Sequence, residues 1–199
     1  MEESAKQAFD QGVSHSDKRE FQLAIAAFTE AIRLDPENAE AYSSRGSAFG
    51  NKGDHDKAIA DCNEAILLDP KLAAAYFNRG VACGSKGEYD KTIADCSEAI
   101  RLEPDFAKAY GNRGIAYLRK GAFDRAIADC TEAIRLDPKL ATAYFNRGLA
   151  YGSKGDFDKA IEFQQRALEL ATTDADKDKY RKRLSLYGNG KPYREAKGK

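Results

Sequence analysis

The chain has 199 residues, 42% of them hydrophobic, and its 32 basic side chains balance 32 acidic ones. A formal charge of zero leaves no global field to gather a polyanion, which argues against nucleic acid as a partner. No apolar run approaches the roughly 18 to 20 residues of a membrane helix, and the start MEESAKQAFDQG is acidic without the apolar centre of a secretion signal, so a soluble, cytoplasmic protein with no membrane partner is expected.

Followed along its length, the chain repeats itself. ENAEAYSSRG stands at 37–46, KLAAAYFNRG at 71–80, DFAKAYGNRG at 105–114 and KLATAYFNRG at 139–148. Gly12, Gly46, Gly80, Gly114 and Gly148 are each 34 apart, as are Pro36, Pro70, Pro104 and Pro138. A period of this length marks units that cannot bury their apolar faces alone and must stack. Five units follow, at 5–38, 39–72, 73–106, 107–140 and 141–174. Residues 107–140 show their content: two amphipathic stretches, with a Lys120-Gly121 stop between them and Asp137-Pro138 closing the second. No segment alternates with strand period, so the fold class is all-α.

The last unit lacks the proline and runs on through ALELATTDADKD into YRKRLSLY, which sets Tyr180, Leu184 and Tyr187 on one helical face. This predicts a capping helix at 175–187 that closes the stack. The tail at 188–199, GNGKPYREAKGK, has no apolar periodicity and is expected to be flexible.

The pattern resembles the tetratricopeptide repeat family, a 34-residue helix-turn-helix unit. In the fourth unit the resemblance rests on Tyr110, Gly114, Tyr117, Ala126 and Pro138, and across units on Ala31, Ala65, Ala99, Ala133 and Ala167 at position 27 of the repeat. It implies a right-handed superhelical solenoid of antiparallel helix pairs, with the first helix of each pair lining a concave face. Small residues at positions 8, 20 and 27 let helices approach, so a change such as Gly80→Leu should cost about 1 to 3 kcal/mol through overpacking.

Two departures from the family pattern stand out. Position 7 is arginine in four units (Arg45, Arg79, Arg113, Arg147), and position 24 is cysteine in three (Cys62, Cys96, Cys130) where an aromatic is usual. The arginine stem is expected to fill the volume left by the missing ring, while its guanidinium reaches the aspartate before each cysteine: Asp61, Asp95 or Asp129. Cysteines in equivalent positions of stacked units lie too far apart for a disulfide. With no C-x-x-C and two scattered histidines, no metal and no cofactor is expected, and the cysteines read as small buried thiols.

The resemblance also implies which side chains face the groove. These are Asn78, Asn112 and Asn146 at position 6, Phe77 and Phe145 at position 5, Val81, Ile115 and Leu149 at position 9, and Lys108 at position 2. An amide both donates and accepts, so a row of asparagines can hold the backbone of an extended peptide. The aromatic and aliphatic side chains suit an apolar strip on a partner's helix or strand. The competing reading joins neighbouring first helices through the asparagines and covers position 9 with adjacent helices. A heat-shock chaperone C-terminal tail is not expected as a partner, because Ser43, Ser47 and Asn112 replace residues of the carboxylate clamp that the family uses for it.

Catalysis is not expected. His55 occupies position 17, where Tyr89, Phe123 and Phe157 stand in other units, and nothing pairs His15 with a nucleophile. The expected function is a protein-protein interaction scaffold that binds a peptide or helix of a protein partner. The alternatives are a self-associating module, a homo-oligomer formed through the groove or the first unit, and an RNA-binding helical repeat.

Overall fold

A computed structural model describes residues 2–188; the tail expected to be flexible lies, from residue 189 onward, outside the described residues. Among the described residues there are eleven α-helices and no strand. The chain divides after Pro104 into two compact units. The first holds α1 (Glu2–Asp17), α2 (Phe21–Leu34), α3 (Ala39–Asn51), α4 (His55–Leu68), α5 (Ala73–Ser85) and α6 (Tyr89–Leu102). The second holds α7 (Ala107–Arg119), α8 (Phe123–Leu136), α9 (Ala141–Lys154), α10 (Phe157–Leu170) and α11 (Asp174–Gly188). Within each unit the helices pack in successive pairs, α1 with α2 through α9 with α10, and α11 packs on α10. No described helix is long and apolar enough to cross a membrane.

Local chemistry sets the boundaries. Inside four pairs the turn is made by Gly53, Gly87, Gly121 and Gly155, all at φ between 77° and 88°, a left-handed conformation that glycine adopts without a side-chain penalty. The first pair has Arg19 at the corresponding place, with φ 60°. Second helices end where Asp35, Asp69 and Asp137 each return a backbone N–H to an alanine carbonyl one turn earlier. The same three side chains accept the N–H two residues on, which holds the turn over the following proline.

Small residues bring the helices together. Ala24, Ala31, Ala58, Ala65, Ala99, Ala126, Ala133, Ala160 and Ala167 are all fully buried or nearly so. In the first pair Gly12 lies against the Phe28 ring, and a methyl there would fall 2.5 Å from it. In the next three pairs a thiol replaces the ring: a Cβ on Gly46, Gly80 or Gly114 would meet the Sγ of Cys62, Cys96 or Cys130 at 2.9, 3.3 and 3.0 Å.

The arginines of position 7 reach the aspartates of the paired helix, as expected. Arg45 donates from Nε and Nη2 to the two carboxylate oxygens of Asp61 at 2.7 and 2.8 Å. Arg79 does the same to Asp95, and Arg113 to Asp129. Each of these guanidinium groups also sits 5.5 to 5.6 Å from a tyrosine ring on its own helix: Tyr42, Tyr76 or Tyr110. A third donor crosses to the preceding pair, Arg45 to Thr29 and Arg79 to Asn63. The last pair differs, because Phe163 stands where the aspartate would be and the Arg147 guanidinium lies 4.2 Å from its ring centroid.

Candidate peptide-binding hollows

Each unit contains a hollow built on first helices. In the first unit, α1, α3 and α5 enclose about 350 Å³ lined by Phe9, Val13, Ser43, Ser47 and Asn78 among others, with Glu40 as its one charged side chain. In the second unit, α7, α9 and α11 enclose about 420 Å³. Its walls are Ile115, Leu118, Phe145 and Leu149, Asn146 and Ser153 add polar groups, and Arg119, Lys179 and Arg183 complete the lining.

The three asparagines of position 6 have different surroundings. Asn78 is half-buried and donates from Nδ2 to the Ser43 hydroxyl at 3.1 Å and to the Ser43 carbonyl at 3.3 Å, clipping α5 to α3. Asn112 turns back to the carbonyl of Lys108 on its own helix, at 3.0 Å. Asn146 is 6% exposed, and its amide makes no hydrogen bond among the described residues although it lines the second hollow. The neighbouring first helix accounts for the contrast between the first and last: where α3 offers Ser43 to Asn78, the equivalent residue of α7 is Gly111, which has no hydroxyl to offer.

The apolar candidates also separate. Val81 is exposed, Phe77, Ile115 and Leu149 are half-buried, and Lys108 is exposed. Phe145 requires a correction. The sequence places it on an open groove wall, yet it is 3% exposed because Tyr180 of α11 stacks on its ring with centroids 4.7 Å apart. Together with Ala167 and Ala171 these rings form a small core, and Lys179 places its ammonium 4.3 Å from the Phe145 centroid. Phe145 is therefore part of the floor of the hollow, held by the packing of α11.

Sequence reasoning missed Arg119, Lys179 and Arg183. For the last two the signal was present in KYRKRL, where Lys179 and Arg183 are four apart and share a helix face. Partial burial lowers the pKa of the Lys179 ammonium, Asp176 works against this, and Arg183 and Arg119 lower it further. The cysteines are all reduced and buried. Burial pushes the Cys62 and Cys130 thiols up to about 12, and Cys83 in the same direction. Among the described residues no three His, Cys, Asp or Glu side chains gather as a metal site would require. His15 shares a hydrogen bond of 2.7 Å with Glu20.

Comparison with known proteins agrees with this architecture. Three family models described as Tetratricopeptide repeat match residues 9–73, 73–106 and 105–173. No curated protein matches the chain in sequence. Among solved structures, MamA is 31% identical over 90% of this chain and 97% of its own, with a TM-score of 0.68. TTC0263, a thermophilic TPR protein of Thermus thermophilus, is 22% identical over 92% of this chain and 100% of its own, with a TM-score of 0.79. YrrB, a TPR protein with an unusual peptide-binding site, is 20% identical over 88% of this chain and 90% of its own, with a TM-score of 0.64. The repeat period, the paired helices, the matched segments and the likeness to MamA agree: the chain belongs to the tetratricopeptide repeat family, whose members are protein-interaction scaffolds.

Proposed function

We propose that the protein holds a short extended or helical segment of a protein partner against its first helices, with the hollow between α7, α9 and α11 as the principal seat. The observation that carries this reading is the Asn146 amide. Its side chain lines the cavity walled by Ile115 and Leu149, so the amide is presented to whatever fills that space. A peptide backbone supplies both an acceptor and a donor to such an amide, while its side chain enters the apolar space. Asn112 and Lys108 are secondary contacts in this reading; in the first unit Phe77, Asn78 and Val81 belong to a separate first-helix surface, where Asn78 shares its amide with Ser43.

The test uses peptides selected from a random display library on the full chain. Their affinity is compared between the wild type and the variant with Asn78, Asn112 and Asn146 all replaced by alanine. The expected result is binding weakened about tenfold or more, most of it recovered when Asn146 alone is restored, with helicity unchanged. Equal affinity for both proteins excludes the asparagines as the recognition element.

A further inference from the structure

The first unit has a concave surface of its own. Phe9, Val13, Phe28 and Leu72 give apolar walls to the hollow of about 350 Å³ between α1, α3 and α5. That apolar character reaches solvent: Val13 on α1 is 38% exposed, and Val81, one turn beyond Asn78 on α5, is 36% exposed. Carboxylates border it. Glu40 lines the hollow from the first turn of α3, and Asp10 and Asp17 stand one turn before and one turn after Val13 on α1, all three exposed. None of the three forms an ion pair among the described residues, and Lys6, one turn before Asp10, pairs with none of them. Asn78 has committed its Nδ2 to Ser43, so the amide has Oδ1 left to present, which accepts no hydrogen bond among the described residues. We propose that this hollow is a second seat, separate from that of α7, α9 and α11, and that it takes a partner segment in which an apolar side chain is flanked by lysine or arginine. The apolar group enters between Phe9 and Leu72, and the cation meets Glu40.

Apolar walls alone accept any hydrophobic side chain; the charge beside them decides its neighbour. An ammonium or guanidinium carries donors only, and here it finds the Glu40 carboxylate, the Asn78 Oδ1 and the hydroxyls of Ser44 and Ser47, all able to accept. A carboxylate on the segment would face the like charge of Glu40, and no cation in the lining offsets it. The same charge disfavours nucleic acid and anionic lipid, both of which need a basic face. Position 2 of the repeat, where Glu40 stands, holds Ala74, Lys108 and Thr142 in the following units, so the acidic border belongs to this hollow and not to the repeat.

Methyl NMR on the full-length protein reads both seats at once, with Val13 and Leu72 reporting the hollow of α1, α3 and α5 and Leu149 that of α7, α9 and α11. Three pools of randomised octapeptides are titrated in, each with a fixed central pair: Leu-Lys, Leu-Gln or Leu-Glu. The Val13 and Leu72 shifts should saturate at the lowest concentration with Leu-Lys, about threefold to fivefold below Leu-Gln, and at the highest with Leu-Glu. Raising salt from about 0.05 M to about 0.5 M should bring the three curves together, because exposed charges are then screened within a few ångströms. Glu40→Lys should erase the preference for Leu-Lys. Lys108 stands at the same position of α7, so a first helix of this repeat accepts lysine there, and circular dichroism reports the fold. The salt titration reads the same preference on the unaltered chain. Equal curves for the three pools at low salt, or a preference that survives Glu40→Lys, overturn the proposal. Shifts at Leu149 with Val13 and Leu72 unmoved overturn it and leave the seat of α7, α9 and α11 standing, whereas shifts at none of these methyls overturn both. Val13 shifts that follow protein concentration without peptide replace the partner with a second copy of the chain.

Discussion

Arg79 grips Asp95 with two parallel hydrogen bonds, Nε to Oδ2 at 3.0 Å and Nη2 to Oδ1 at 2.7 Å, between the two helices of one pair. Its remaining nitrogen Nη1 donates to Asn63 of the preceding pair at 2.7 Å. One side chain thus joins three helices, and it does so where the repeat has a thiol, Cys96, in place of an aromatic ring. With Asp95 at 9% and Arg79 at 26% side-chain exposure, the pair is screened less than a surface ion pair. Asp95→Ala should destabilise the fold by about 2 to 3 kcal/mol, since a half-buried guanidinium is left without its acceptor. Urea unfolding measures this, and a loss below about 0.5 kcal/mol, the scale of an exposed ion pair, would show that the fork contributes little.

Arg19 provides a stabilising change. It sits at φ 60° where four other turns have glycine, and its side chain is exposed. Arg19→Gly should raise stability by about 0.5 to 1 kcal/mol by removing the left-handed penalty. The opposite substitution, Gly87→Arg, should lower stability by a similar amount. Thermal unfolding of the two variants checks both signs.

Tyr180 is 1% exposed and covers Phe145. Tyr180→Ala should cost about 3 to 4 kcal/mol for a buried aromatic and open the floor of the second hollow. Hydrogen exchange should then quicken in α11 and α9 and stay unchanged in α1 to α4. Uniform exchange throughout would mean that α11 is not anchored by this ring.

Alkaline pH should weaken the fold. Burial pushes the thiols of Cys62 and Cys130 and the phenol of Tyr180 up to about 12. In an unfolded chain these groups ionise near roughly 8.5 and 10. A raised folded pKa means that the native state holds its protons more tightly, so the stabilisation is complete below the unfolded value and is lost as pH climbs towards the folded one. The urea midpoint should be level between about pH 6 and pH 8 and fall steadily from about pH 9 to pH 12. A thiol reagent at neutral pH should react with these cysteines only after unfolding.

The parts of this molecule that depend on spacing along one chain segment could be read from the sequence. The helix pairs followed from apolar periodicity, the turns from Lys-Gly, and the Arg–Asp forks from charged residues 16 apart on helices that must lie side by side. What was not legible depended on a third helix. Phe145 looks like Phe77 by position, yet only Phe145 lies under Tyr180, 35 residues further along. Asn78 and Asn146 occupy the same position of the repeat and differ because Ser43 on one neighbouring helix becomes Gly111 on the other. Phe163 gives Arg147 a ring to face instead of a carboxylate, a change that the arginine row alone does not reveal.

The central claim is that a partner's segment occupies the hollow of α7, α9 and α11 and engages the Asn146 amide. Side-chain amide and methyl NMR spectra, recorded while a display-selected peptide is titrated into the full chain, test it most directly. The account predicts the largest shifts at the Asn146 Nδ2 protons and at the Ile115, Leu118 and Leu149 methyls. Shifts confined to second-helix surface residues such as Leu67 and Arg135, with Asn146 unmoved, would contradict it.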